Sequence, residues 1–277
     1  MSVRIAWYGK HFGEEPPLVG DESQGSGTIF FSKCNLKCCY CQNYQISQEN
    51  LGKDYSESEL VDIMLDLQKQ NAVNINLVTP TIWWQTIVPA IKEAKKKGLT
   101  IPIVWNSNGY ENVEVLKHAA ELVDIFLPDF KYGFNEIGQK YSGVPNYTDI
   151  ATEAIKYLNE IRPELILDEN GIAKSGLIVR HLILPGQTES SLKAIDILSS
   201  INENIYVSLM AQYSPFYKSN EYPELKTKNN EEEVTRIFNH LTEKRMLNGW
   251  TQDLDATDCL VPDFTRDNPF EDQGVGL

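Results

Sequence analysis

The chain has 277 residues, 42% of them hydrophobic, and carries 25 basic against 39 acidic residues for a net charge of −14. That is enough chain and apolar content for one large α/β domain with a full core, while the acidic balance argues against a protein that grips phosphate backbones through clustered Lys and Arg, so no nucleic-acid partner is expected. No apolar stretch approaches the roughly 18 residues of a membrane span, and the N-terminal run Met1-Ser-Val-Arg-Ile-Ala-Trp-Tyr is too short in apolar residues for a secretory signal; the expected location is the cytoplasm, with no membrane partner.

Residues 1–24 read as an N-terminal extension. A strand-like run, Thr28-Ile-Phe-Phe-Ser32, follows, and directly after it come Cys34, Cys38 and Cys41 in a C-x3-C-x2-C array. Ser56 then caps a helix that is acidic in its first turn and places Leu60, Ile63, Met64 and Leu67 at helical spacing. The plan repeats with a strand over Val73–Val78, a helix from Trp83 to Lys97, a strand over Ile101–Trp105, a helix from Val113 to Ala120 and a strand over Val123–Pro128. A helix over Thr148–Ile161, a long strand over Leu177–Leu184, a helix over Ser190–Ile201, a strand over Ile205–Met210 and a helix over Glu231–Leu247 complete six units. Asn170-Gly171 marks a hairpin in a surface excursion. Short β-branched runs alternating with helices predict a parallel sheet. The fold class is therefore α/β, a partial (β/α)6 TIM-type barrel over residues 25–250 with the cysteine loop after its first strand. Residues 251–277 form an acidic, Pro/Gly-dotted C-terminal tail.

Three thiolates on one loop are soft ligands suited to zinc or to iron-sulfur clusters. A structural zinc site closes with four protein ligands, and no second C-x2-C or H-x3-H follows downstream, so zinc is the weaker reading. Five cysteines, four of them between Cys34 and Cys41, make no disulfide framework for a chain of this length. Cys39 reads as a small packing residue, and is the alternative ligand if the register slips by one. Cys259 reads as an ordinary thiol.

In parallel barrels the catalytic groups sit on the loops after the strands, and the strand ends here are polar. They carry Thr79-Pro80-Thr81, Asn106 to Tyr110, Asp129-Phe-Lys131, Arg180-His181 and Gln212-Tyr213. Arg180 and His181 point to opposite faces by the period-two rule. Arg180 is favoured as the inward group and His181 as a hydrogen-bonded core residue. Trp83, Trp84 and Trp105 read as packing.

The C-x3-C-x2-C spacing with Tyr40 before the last cysteine resembles that of the radical S-adenosylmethionine enzymes. The segments Gly-Ser-Gly-Thr-Ile-Phe-Phe-Ser, Asn-Leu-Val-Thr-Pro-Thr, Leu-Pro-Asp-Phe-Lys-Tyr and Arg-His-Leu-Ile-Leu-Pro-Gly occur in order and are similar to the pyruvate formate-lyase activating enzyme-like branch of that family. The resemblance implies a [4Fe-4S] cluster on Cys34, Cys38 and Cys41, with S-adenosylmethionine on the fourth iron and the Tyr40 backbone against its adenine. Thr79, Pro80 and Thr81 stand where the family has Gly-Gly-Glu. No carboxylate is present there, but hydroxyls and carbonyls can still accept from an ammonium. Asp129 and Lys131 correspond to an Asp-Leu-Lys element beside the cofactor, with an exposed loop ion pair as the other reading; with Arg180 they form the expected catalytic set. Asn106 and Asn108 are ribose or carboxylate partners or turn formers, and Gln212 is a further cofactor or substrate contact.

The activity so implied is reductive cleavage of S-adenosylmethionine to a 5′-deoxyadenosyl radical that abstracts hydrogen. Flavodoxin or ferredoxin is the implied electron donor. Two uses stay open: activation of a glycyl radical protein, and modification of a small molecule or peptide. A non-catalytic iron-sulfur carrier or sensor is the reading from another class, although carriers normally complete the cluster with protein thiolates.

Overall fold

The computed structural model describes residues 1–251 and 261–271. The chain opens with β1 (Ser2–His11), which pairs antiparallel with β2 (Ser26–Phe31). A single helical turn, α1 (Tyr44–Ser47), closes the cysteine loop, and β3 (Lys53–Ser56) pairs with the far edge of β1. Residues 1–24 thus supply part of the sheet. The alternation of Val3 and Ile5 with polar neighbours, both buried against helices, is what makes Ser2–His11 a strand.

Six βα units follow the expected order. After β2 and α2 (Glu57–Lys69) come β4 (Ile75–Val78) with α3 (Trp84–Lys96), then β5 (Ile103–Ser107) with α4 (Val113–Ala119). Next are β6 (Ile125–Pro128) with α5 (Asn135–Ser142) and α6 (Tyr147–Ile161), and the two-residue β7 (Ile166–Leu167) that forms a small hairpin with β8 (Ala173–Leu182) around Gly171. α7 (Thr188–Ile201), β9 (Tyr206–Met210), α8 (Glu231–Glu243) and a short added strand β10 (Gly249–Thr251) complete the described order. The strands run β10-β9-β8-β6-β5-β4-β2-β1-β3 across one sheet whose ends do not meet. From β2 through β10 every neighbouring pair on this path is parallel. The partial barrel expected from the sequence is the fold.

Strand alternation divides the interior into two layers. Ile29, Ile75, Leu77, Ile103, Trp105, Val179 and Leu209 face the helices and join one large core. The intervening residues line the barrel: Thr28 is in register with Asn76, Asn76 with Val104, and Val104 with Ile125. One end of this inner face is filled by Leu18, Val104, Ile125, Leu127 and Ile178, and the other holds Phe30, Val78 and Phe264. Because β8 obeys the same period, Ile178, Arg180 and Leu182 face inward while His181 faces the helices. There His181 is 1% exposed, with Nδ1 bonded to the Phe130 carbonyl (2.6 Å) and Nε2 to Ser191 Oγ (2.9 Å).

The described part of the C-terminal stretch, residues 261–271, packs back on the first strands. Phe270 contacts His11 and Trp7, and Phe264 contacts Phe30. Cys259 and the rest of the expected tail lie outside the described residues. No described helix is long and apolar enough to cross a membrane.

Candidate functional site

The loop after β2 is held in shape by its own backbone and by α5. Lys33 turns it with a left-handed φ of 67°. Leu36 anchors it in the core at 1% exposure. The Lys37 N–H donates to the Ser142 carbonyl (3.0 Å) and the Cys39 N–H to the Tyr141 carbonyl (2.8 Å). Cys39 itself is buried in the core cluster, whereas Cys38 and Cys41 line a cavity of 240 Å³ at the C-terminal ends of the strands.

The same cavity is lined by Tyr40, Asp129, Lys131, Arg180 and Gln212. Asp129 sits one step past β6, joined to β8 through a parallel bridge to Arg180 and a Phe130 N–H to Arg180 carbonyl bond of 2.7 Å. That junction brings their side chains together. Arg180 Nε donates to Asp129 Oδ1 (2.9 Å), Lys131 Nζ to Asp129 Oδ2 (2.6 Å), and Arg180 Nη2 to Asn106 Oδ1 (2.6 Å). Burial raises the Asp129 carboxyl, but Arg180 and Lys131 outweigh it and hold it below the usual carboxylate range. Burial pulls the Lys131 pKa down, but Asp129 outweighs it and holds it above the ordinary value. Both cations therefore stay charged beside the cavity. Gln212 Oε1 is buried without a hydrogen-bond partner, which leaves it an acceptor for a ligand.

The remaining candidates are arranged differently. Cys34 accepts from Asn108 Nδ2 (3.2 Å) and from the Leu36 N–H (3.4 Å). Asn106 meets the site only through Arg180. Thr79, Pro80 and Thr81 are not among the cavity-lining residues. Thr79 has a left-handed φ of 61° and its N–H bonds the Asn106 carbonyl (2.8 Å), a conformation that costs a β-branched residue about 1–3 kcal/mol. Thr81 turns into the core and donates to Glu111 Oε1 (2.9 Å).

Several functional neighbours escape a reading of the sequence. Glu14 and Glu15, just past β1, approach Arg180 from beneath at 3.8 and 4.0 Å, and burial raises both carboxyls. Glu111 is buried and accepts from Thr81, from Trp105 Nε1 (2.8 Å) and from Ser107 Oγ (2.5 Å). The signal for the first pair was Glu-Glu-Pro-Pro at the end of an alternating run, visible only once that run is taken as a strand.

The donor set fits an iron-sulfur cluster. Among the described residues no group of three or more His, Cys, Asp or Glu is placed to hold a single metal ion, whereas a cluster asks each thiolate for an iron of its own. Burial pushes all three thiols up, Cys41 to about 12, so a metal would bind them with release of their protons.

The family model of the Radical SAM superfamily matches residues 28–198. The chain belongs to the radical S-adenosylmethionine superfamily. It is 36% identical over 244 residues to an uncharacterised protein of Methanocaldococcus jannaschii, a match covering 84% of this chain and 65% of that one. A second protein of that organism, provisionally named a glycyl-radical enzyme activating enzyme, is 29% identical over 113 residues, covering 41% of this chain and 46% of the other. The chain thus spans less than two-thirds of the length of either relative. Streptococcus suis SuiB bound to S-adenosylmethionine shares the fold with a TM-score of 0.53 at 14% identity, covering 82% of this chain and 47% of SuiB. Membership of the radical S-adenosylmethionine superfamily implies a [4Fe-4S] cluster and S-adenosylmethionine as cofactors.

Proposed function

We propose that this chain is a [4Fe-4S] enzyme that reductively cleaves S-adenosylmethionine and directs the resulting radical at a glycine of a partner protein. The observation that carries the reading is the convergence of Cys38 and Cys41 with Lys131, Arg180, Asp129 and Gln212 on one cavity. The relative provisionally named a glycyl-radical enzyme activating enzyme supports the choice of substrate. When bound, the cluster supplies one electron to the sulfonium, and scission of a carbon-sulfur bond releases methionine and a 5′-deoxyadenosyl radical.

The chain's own residues bind and orient. Cys34, Cys38 and Cys41 would hold the cluster through their thiolates and leave it open toward the cavity for S-adenosylmethionine. Lys131 and Arg180 offer positive charge to a carboxylate, and Asp129 keeps both in place. Gln212 Oε1 accepts from an ammonium or hydroxyl, and the Tyr40 backbone meets the adenine. Leu182 and Met210 line the cavity as apolar wall and keep water from the radical. A flavodoxin- or ferredoxin-type protein donates the electron.

Anaerobically reconstituted protein incubated with dithionite and S-adenosylmethionine should accumulate 5′-deoxyadenosine and methionine, measured by mass spectrometry. Their absence with the four-iron spectrum intact overturns the reading. Cys38→Ala should lose that spectrum; if it does not, Cys39 is the ligand in its place.

A further inference from the structure

Each of the three cysteine sulfurs has its own polar side-chain partner, and these partners come from different parts of the chain. Asn108 Nδ2, at the end of β5, lies 3.2 Å from Cys34 Sγ. Ser142 Oγ, at the end of α5, lies 2.9 Å from Cys38 Sγ. Ser47 Oγ, in α1, lies 3.3 Å from Cys41 Sγ.

A second layer of contacts backs each of these partners. Asn108 Oδ1 accepts from the Tyr110 N–H (2.9 Å), so its amide NH2 is the end turned to Cys34. Ser142 Oγ is 2.6 Å from Tyr132 Oη, and Tyr132 Oη is 2.6 Å from Tyr40 Oη. Ser47 Oγ accepts from Gln48 Nε2 (3.3 Å). An iron-bound thiolate has no proton to give. Ser142 must then donate to Cys38, which frees its oxygen to accept from Tyr132, and Tyr132 to accept from Tyr40. The hydroxyl chain Tyr40→Tyr132→Ser142→Cys38 is buried throughout, with Tyr132 and Ser142 at 0% exposure, where a hydrogen bond to a charged sulfur is worth more than in water.

We infer that Ser142, Asn108 and Ser47 set the reduction potential of the cluster by donating one hydrogen bond to each of its three cysteine thiolates, with Ser142 the dominant donor. The inference rests on the proposed cluster on Cys34, Cys38 and Cys41. Donors to the sulfurs withdraw electron density and favour the reduced, more negative cluster, so they raise its potential. Ser142 dominates because its bond is the shortest, is wholly buried and is polarised by two tyrosines behind it. These three are positioning residues that touch the ligands and not the substrate.

The test is a dithionite titration of the reconstituted full chain followed by electron paramagnetic resonance of the reduced cluster. Ser142→Ala should reduce the reduced-to-oxidised ratio at a fixed potential about tenfold, the worth of one hydrogen bond to a charged group, which is 59 mV for a one-electron couple. Ser142→Thr keeps the hydroxyl and should restore most of the wild-type value, while Tyr132→Phe should shift it in the direction of Ser142→Ala by less. Ser47→Ala, at a partly exposed position, carries the test if Ser142→Ala does not fold, and should also lower the potential. Full iron content with an unchanged potential in Ser142→Ala, or in Ser47→Ala where that variant stands in for it, overturns the inference. Failure of the wild-type chain to assemble any cluster overturns the proposed function, and this inference with it.

Discussion

At the residue scale, the cysteine loop and the polar groups around it differ in how they are written. Cys34, Cys38 and Cys41 are legible in the sequence because their chemistry depends on one another at short spacing. Glu111 is not, because a glutamate in a loop means nothing until Thr81 and Trp105 are known to face it. The same contact explains why Thr81, expected against the cofactor, is turned away: a buried carboxylate needs donors, and the threonine hydroxyl is one of them. Replacing Glu111 with Ala strands two hydroxyls and an indole N–H in the core, and each orphan costs about 1–3 kcal/mol. Glu111→Ala should therefore lose about 3 kcal/mol or more in a urea melt; an unchanged midpoint would mean that water reaches those groups. Arg180 and His181 show the opposite case, in which strand alternation assigns each side chain to its face without any knowledge of partners.

At the element scale, strands and helices with strong periodicity or caps were readable to within a few residues. Ser56 closes a capping box with Glu59 at the start of α2, its Oγ accepting from the Glu59 N–H while Glu59 accepts from the Ser56 N–H. Ser56→Ala should cost about 1 kcal/mol, read as a lower thermal midpoint with the cluster spectrum unaffected. Among the elements that the sequence pattern does not mark, α5 and β1 show the physical reasons. α5 is eight residues long, carries Gly138 in the middle of Asn-Glu-Ile-Gly-Gln-Lys-Tyr-Ser and has only Ile137 and Tyr141 as large apolar residues; it is held by tertiary contacts such as the Ser142 and Tyr141 carbonyls to the cysteine loop. β1 has only a partly buried alternation, since one of its faces meets the aromatic residues of the C-terminal stretch. Sequence periodicity reports on burial against helices, and it is weak where the partner is a distant segment.

At the scale of the whole molecule, the open sheet brings the two ends of the described chain together. His11 on β1 packs at a tilt against Phe270 at 4.2 Å and edge-to-face with Phe30 at 6.1 Å between ring centroids, and burial lowers its pKa to about 4 from 6.5. The folded protein keeps this imidazole neutral, whereas the unfolded chain takes up a proton below 6.5. Its contribution to stability is therefore complete above that pH and is lost progressively as pH falls from 6.5 toward 4. Between pH 7 and pH 5 the loss should be about 2 kcal/mol, and His11→Phe should flatten that part of the urea-midpoint profile. An identical slope in the variant would place the titrating group elsewhere.

The joining of the two ends also has a consequence in time. Val261 lines the same cavity as Cys38 and Cys41, yet the ribosome makes it more than two hundred residues later. A nascent chain that has already paired β2 with β4 presents its cysteines to an unfinished wall. The cavity reaches its final shape only when residues 261–271 arrive and Phe264 and Phe270 settle on Phe30 and His11. Without residues 261–271 the cavity would thus lack the side that Val261 supplies and stand wider beside Cys38 and Cys41.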